Sequence, residues 1–132
     1  MISPLKIDMH THILPEKLPD FAAKFGYGEF INLVPSRPGY ANMMKGGTFF
    51  REINENCWNP EVRIKDYEKF QTQYQVICTI PVMFSYDAKP DDTLDLSMFL
   101  NDHIAQVVND YPNNYIGMAT VPMQSASHAV KE

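Results

Sequence analysis

Two histidines near the start of the chain have a spacing that suits a metal ion. His10 and His12 lie in a mostly apolar segment, residues 5–13, that reads as a β-strand ending before Pro15. Residues two apart on a strand face the same side, with Cα atoms about 6.6 Å apart. Both imidazoles can then reach one ion at about 2.0–2.1 Å, the usual zinc–nitrogen distance. The pair predicts two metal ligands, although a His-x-His pair alone also occurs on ordinary surfaces and in cores.

The sequence does not complete this site. Asp8 is predicted on the same face as the histidines, where it can either orient an imidazole or make ordinary backbone contacts. A catalytic zinc site usually takes three protein ligands and keeps one position for water. No later His, Asp or Glu stands convincingly at the end of a predicted strand. His103 falls on the apolar stripe of a predicted helix and reads as structural, and His128 is assigned no role.

The elements that must position the histidines alternate between strands and helices. Asn59-Pro60-Glu61 predicts a helix start, with a capping side chain, a first-turn proline and an acid near the positive end of the helix dipole. The apolar stripe of that helix is predicted to include Val62, Tyr67 and Phe70. In chain order the prediction is a strand at 5–13, an excursion at about 14–59 with a small hairpin, a helix from 59, a strand at 74–81, a helix from 90 to 111, a strand at 115–122 and a helix from 125.

This alternation predicts an α/β fold with a parallel sheet and helices outside it. Three such units fit either an open doubly wound sheet or a barrel, and periodicity does not choose between them. A barrel needs eight strands and roughly 250 residues, whereas the chain has 132 residues. No repeat, low-complexity tract or linker divides it. We therefore expect residues 1–132 to form one domain with an insertion at about 14–59, incomplete if the fold is a barrel.

Composition excludes several functional classes. Hydrophobic residues make up 45% and charged residues 20%, which is typical of a globular protein. The net charge of -5 offers no basic surface for nucleic acid. No apolar run approaches the roughly 18 residues that span a membrane, and no signal peptide is recognisable. Cys57 and Cys78 have no CxxC spacing and are predicted to be reduced thiols in a cytoplasmic protein.

Five segments carry a resemblance to a known family. IDMHTHILP, residues 7–15, resembles the first strand of the metal-dependent amidohydrolase superfamily. Four more segments resemble one group of decarboxylases within that superfamily: FGYG at 25–28, FREINENCWNPEVRI at 50–64, TIPVMFSYDAKPDDTL at 79–94 and GMATVPMQ at 117–124. Together they cover nearly the whole chain in register, whereas the His-x-His pair alone would support only the superfamily.

The resemblance implies the N-terminal part of a (β/α)8 TIM-type barrel. His10 and His12 match two zinc ligands, and the family's further two histidines and its aspartate lie beyond residue 132. Arg51 matches the arginine that holds a substrate carboxylate, a task suited to the planar guanidinium fork. Phe50 and Met83 match positions that line the substrate pocket.

The implied activity is zinc-dependent decarboxylation of 2-amino-3-carboxymuconate 6-semialdehyde, an intermediate of tryptophan catabolism by the kynurenine route. The implied partners are this small carboxylated substrate and a second copy of the chain. In the family, the second subunit of a homodimer donates a further arginine to the substrate. One departure concerns Asp87, which stands where the family motif has tryptophan and can repel an anionic substrate. Two alternatives stay open: a related hydratase or hydrolase of another small carboxylated compound, and a non-catalytic fragment. The 132-residue chain alone is expected to be inactive.

Overall fold

The computed structural model, which describes residues 4–132, contains two separate three-stranded sheets and four helices. The strands are β1 (Ile7–His12), β2 (Ile31–Arg37), β3 (Tyr40–Lys45), β4 (Thr48–Asn54), β5 (Tyr74–Cys78) and β6 (Tyr115–Met118). The helices are α1 (Phe21–Phe25), α2 (Pro60–Glu68), α3 (Pro90–Asp110) and α4 (Ala126–Lys131). Two 3₁₀ turns, Glu55–Cys57 and Pro81–Met83, precede α2 and follow β5.

The first sheet is parallel, in the order β1-β5-β6. Helix α3 covers one of its faces, where Ile77 of β5 packs with Ile104 and Val107 of the helix. The contact is close, since a Cβ added at Gly117 of β6 would lie 2.9 Å from Cγ2 of Ile104. The predicted alternation of strands and helices and the parallel sheet are therefore confirmed.

The opposite face of the parallel sheet is open. Ile116 and Met118 flank Gly117 on β6 and, by strand alternation, point away from α3. Their side chains are 44% and 49% exposed. His12 and its β5 neighbour Cys78 are paired in register on this face, so we call it the open face of the sheet.

The second sheet is antiparallel, in the order β2-β3-β4, and falls within the predicted excursion. The sequence indicated a small hairpin there, whereas the structure has three strands and the short helix α1. Gly46 and Gly47 join β3 to β4 with φ values of 55° and 77°, the left-handed conformations that tight hairpins favour. Met43 and Ile53 of this sheet are buried in one core with Leu96 and Leu100 of α3.

Helix α2 buries a different residue from those that its apolar pattern predicted. It begins after Asn59, whose side-chain oxygen accepts from the backbone N–H groups of Glu61 and Val62. Phe70 was expected on its apolar stripe but lies beyond the helix end and is 70% exposed. The buried residue of this helix is instead Arg63. A stripe read from apolar residues alone is wrong here because the polar head of Arg63 finds hydrogen-bond partners inside the protein.

Helices α3 and α4 agree with the patterns that predicted them, whereas β6 ends at Met118, short of the predicted range 115–122. Helix α3 buries Leu96, Leu100, Ile104 and Val107 and ends before Pro112, and α4 follows Ser125. Both cysteines are free and partly exposed. Between residues 4 and 132, no helix combines the length and apolar character needed to cross a bilayer.

Candidate functional site

A bulge in β1 sets the directions of the candidate metal ligands. Asp8 pairs with Gln75 and Thr11 pairs with Ile77, so two residues of β1, Met9 and His10, stand opposite one residue of β5. Such a bulge breaks the strict alternation of side chains. The Asp8 carboxylate consequently turns towards α2, where it accepts from the Tyr67 hydroxyl at 3.0 Å and from the His10 backbone N–H at 3.2 Å.

The expectation that Asp8 shares a face with both histidines is therefore wrong, and it makes backbone and tyrosine contacts rather than orienting an imidazole. The rings of His10 and His12 still lie together, with centroids 5.0 Å apart in an edge-on arrangement. The bulge thus separates the carboxylate from the imidazoles and keeps the imidazoles as a pair.

The ring of His12 is held by its neighbours. Its Nδ1 lies 3.2 Å from the carbonyl oxygen of Thr79, which can only accept, so Nδ1 carries the proton and donates. The Cys78 thiol lies 3.3 Å from the same nitrogen and donates its own proton to the Thr11 carbonyl. In this tautomer Nε2 has a free lone pair, as a metal-binding histidine requires.

The two histidines fit a metal ion as part of a ligand set. His10 is exposed, and its ring makes no hydrogen bond to any residue that the structure describes. Within residues 4–132 there is no cluster of three or more His, Cys, Asp or Glu side chains that could hold a metal. Because catalytic zinc usually takes three protein ligands, a zinc ion held by these two imidazoles would need further ligands.

Arg63 lies directly behind His12 and was missed by the sequence analysis. Its side chain is buried, and Nη1 donates to the carbonyl oxygens of His12 at 2.9 Å and Asn56 at 3.0 Å. Its Nη2 donates to Oε1 of Gln75 at 3.0 Å. In the sequence, nothing distinguishes Arg63 from its exposed neighbour Lys65, because its burial depends on partners in three other segments.

Arg51 and Phe50 lie at a second bulge, in β4. Met43 pairs with Arg51 and Met44 pairs with Phe49, which leaves Phe50 as the extra residue. The Arg51 guanidinium carbon lies 5.9 Å from the centre of the Phe50 ring. Both side chains are exposed, and Arg51 forms no ion pair within residues 4–132.

Strand β4, which carries Arg51, leads into a turn that contacts the segment after the histidines. Burial raises the pKa of the Cys57 thiol, and the positive charge of Arg51 is one of the smaller effects that lower it. The Cys57 carbonyl accepts from the Leu14 backbone N–H at 3.1 Å, two residues after His12. The turn that follows β4 is therefore hydrogen-bonded to the segment just after β1.

Met83 and Asp87 occupy different environments. Met83 is 3% exposed and belongs to the core around Leu14 and Phe30, so its side chain faces the interior. Asp87 is exposed and lines a cleft together with Tyr27 and Lys45. The departure from the family motif thus introduces a carboxylate into a cleft that already holds a lysine.

Comparisons with known proteins agree with the resemblance seen in the sequence. The 2-amino-3-carboxymuconate-6-semialdehyde decarboxylase of Dictyostelium discoideum is 49% identical over 128 residues, which are 97% of this chain and 36% of that protein. The enzyme of the same name from Caenorhabditis elegans is 40% identical over 126 residues, 96% of this chain and 31% of that protein. The chain therefore spans about a third of the length of these curated relatives. No family model matches it.

A solved structure shows the same fold. The crystal structure of an amidohydrolase II superposes with a TM-score of 0.60 over 96% of this chain and 34% of that chain. The two sequences are 20% identical, so this likeness bears on the fold alone. The described residues therefore have a mixed α/β fold that resembles part of this amidohydrolase.

Proposed function

This chain is a homologue of part of the 2-amino-3-carboxymuconate-6-semialdehyde decarboxylases, and from that premise we propose that the full-length gene product decarboxylates this semialdehyde in tryptophan catabolism. The observation that carries the proposal is the 49% identity to one such enzyme along 97% of the chain. Similarity to enzymes along nearly the whole chain does not favour a non-catalytic fragment. A hydratase or hydrolase of the same superfamily is the second candidate because Asp87 puts a carboxylate where the family motif has tryptophan, and this charge would repel an anionic substrate.

We propose that the complete fold is a (β/α)8 barrel to which this chain contributes one incomplete domain. The parallel order β1-β5-β6 with α3 against one face supports this proposal, because barrel strands follow each other around the sheet with helices outside. The antiparallel sheet would then be an insertion after the first strand, at about 14–59. His10 and His12 lie at the carboxyl end of that strand, where barrel enzymes place their catalytic groups.

We propose that His10 and His12 hold a zinc ion together with ligands from the rest of the gene product. The hydrogen bond from His12 Nδ1 to the Thr79 carbonyl supports the assignment because it leaves Nε2 free. A bound zinc ion would supply Lewis acidity and activate water near neutral pH. The chain's own contribution is to hold the two imidazoles 5.0 Å apart at the edge of the open face.

Arg51 is proposed to bind a carboxylate of the substrate and so to be a catalytic residue of this chain. Its exposure and its lack of an ion-pair partner within residues 4–132 support the proposal, since a free guanidinium fork can bind a carboxylate bidentately. Phe50 is proposed to line the pocket beside it. Met83 is proposed to line the pocket from the core side. By extension we propose a cytoplasmic homodimer in which the second copy adds a further arginine.

Metal content and turnover of the full-length gene product test the proposal together. We expect about one zinc per subunit by elemental analysis, and loss of the semialdehyde absorbance with release of carbon dioxide. Zinc without turnover would keep the superfamily and favour the hydratase or hydrolase. The absence of bound metal after growth in zinc-supplemented medium would contradict the assignment of His10 and His12.

A matched pair of arginine variants tests the substrate contact. Arg51→Ala should keep zinc and lose turnover, and Arg51→Lys should recover only part of it because lysine lacks the fork. Arg37→Ala is the control, since Arg37 lies in the same sheet but is already paired with Glu52 at 2.9 Å. Equal losses in Arg51→Ala and Arg37→Ala would contradict a specific role for Arg51.

A further inference from the structure

We propose that Arg63 is a positioning residue that fixes the direction in which His12 presents Nε2 to the metal. The inference rests on the proposed function in one respect, because it assumes that a metal binds at His12. It adds a residue of helix α2 to a site that otherwise consists of strand and loop residues.

The direction of an imidazole depends on its main chain as well as on its ring. The ring of His12 is held through Nδ1 by the Thr79 carbonyl. Its main chain is held by Arg63, whose Nη1 donates to the His12 carbonyl at 2.9 Å. With both ends of the residue held, Nε2 has one preferred direction. Such outer contacts are what orient metal-binding histidines in proteins.

The same guanidinium joins three segments around His12. Its other contacts are the Asn56 carbonyl in the turn before α2 and the Gln75 side chain on β5. Arg63 itself lies near the start of α2, where its backbone N–H donates to the Asn59 carbonyl. Helix α2 thereby supports the end of β1, two residues after the bulge at Met9 and His10.

The energetics of Arg63 argue against a role in stability alone. The residue is 7% exposed, it pairs with no carboxylate within residues 4–132, and its Nε atom lacks a hydrogen-bond partner among them. Burying a charge without an opposite charge is unfavourable, and an apolar residue of similar volume often stabilises a protein better. The donors of Arg63 are nevertheless directed at the main chain of a candidate metal ligand.

Zinc affinity and the visible spectrum of the Co²⁺-substituted full-length gene product test the proposal. Arg63→Met removes the donors and keeps an unbranched apolar side chain, and we expect zinc affinity to fall about 10–100-fold, as for other outer contacts of metal ligands. The Co²⁺ absorption band should shift as the ligand geometry changes. Arg63→Lys should restore part of the affinity, because one ammonium can reach the His12 carbonyl.

A control variant separates positioning from general destabilisation. Asn101→Ala removes two hydrogen bonds of 2.8 Å between α3 and the backbone of Thr120 and one of 2.6 Å to the Glu132 side chain, none of which involves His10, His12 or Arg63. It should lower the melting temperature and leave zinc affinity and the Co²⁺ band unchanged. The inference is overturned if Arg63→Met and Arg63→Lys also keep wild-type zinc affinity and the wild-type Co²⁺ band. If Arg63→Met does not fold, the same result for Arg63→Lys alone overturns it. A wild-type protein that binds neither metal overturns the proposed function and this inference together.

Discussion

Replacing each candidate ligand by alanine should affect metal binding equally and folding unequally. His10→Ala and His12→Ala both remove an imidazole from the proposed zinc site. The two rings differ in their surroundings, however. His12 is half-buried and donates to the Thr79 carbonyl, whereas His10 is exposed and its ring has no hydrogen-bond partner among the described residues.

The expected difference in stability follows from these contacts. His12→Ala removes one hydrogen bond, which contributes about 0.5–1.5 kcal/mol, and leaves the partly buried Thr79 carbonyl without this donor. We therefore expect the metal-free protein to lose about 1–2 kcal/mol of unfolding free energy. His10→Ala changes an exposed side chain and should stay within about 0.5 kcal/mol of the wild type.

Two measurements on the full-length gene product test whether the two variants lose zinc alike and differ in stability. Zinc per subunit is measured by elemental analysis, and unfolding by denaturant is followed after removal of metal with a chelator. Both variants should lose zinc, and only His12→Ala should unfold at a lower denaturant concentration. His128→Ala serves as a control that keeps zinc. Full zinc occupancy in both variants, or equal stabilities of the two metal-free proteins, would refute the reasoning.

Three further predictions concern packing, pH and specificity. Gly117→Ala should destabilise the protein by about 1–3 kcal/mol in denaturant unfolding, because the new methyl group would lie 2.9 Å from Ile104; unchanged stability would contradict the close packing of β6 on α3. Burial lowers the pKa of His103 in the native state. Below about pH 6.5 the unfolded chain therefore binds a proton at His103 more readily than the native state does, and the free energy of unfolding falls. The melting temperature should therefore fall more between pH 7 and 5 in the wild type than in His103→Gln, and parallel curves would contradict this. Asp87→Asn removes a carboxylate from the cleft that Tyr27 and Lys45 line. If the anionic semialdehyde passes this carboxylate, its KM should fall about fivefold, from about 1 kcal/mol of repulsion across water; an unchanged KM would place the substrate elsewhere.

Long periodic segments were the most predictable part of this fold. Helix α3 could be located from apolar residues at helical spacing between Pro90 and Pro112, and β5 from its short, mostly apolar run. Strand β3 escaped prediction because its sequence, YANMMK, contains no β-branched residue. It forms as the central strand between β2 and β4, so its structure depends on pairing rather than on its own composition.

The candidate site was predictable only in part, for a related reason. The spacing of His10 and His12 was enough to pair their rings, because both residues lie on one short stretch of strand. Arg63 was not predictable, since its burial depends on carbonyl groups of His12 and Asn56 and on the side chain of Gln75. A polar residue that is buried by distant partners leaves no trace in local periodicity.

The position of Asp8 illustrates why regular patterns fail at this site in particular. A regular strand would direct Asp8 to the same face as the histidines, and an acceptor-only carboxylate there could approach the proposed metal. The bulge instead turns Asp8 towards Tyr67 and leaves the two imidazoles on the open face. A second bulge, at Phe50, adjoins Arg51 in β4. Bulges are common beside active sites because they redirect single side chains, so the disturbed pairing in β1 agrees with the location of the site that the histidine spacing indicates.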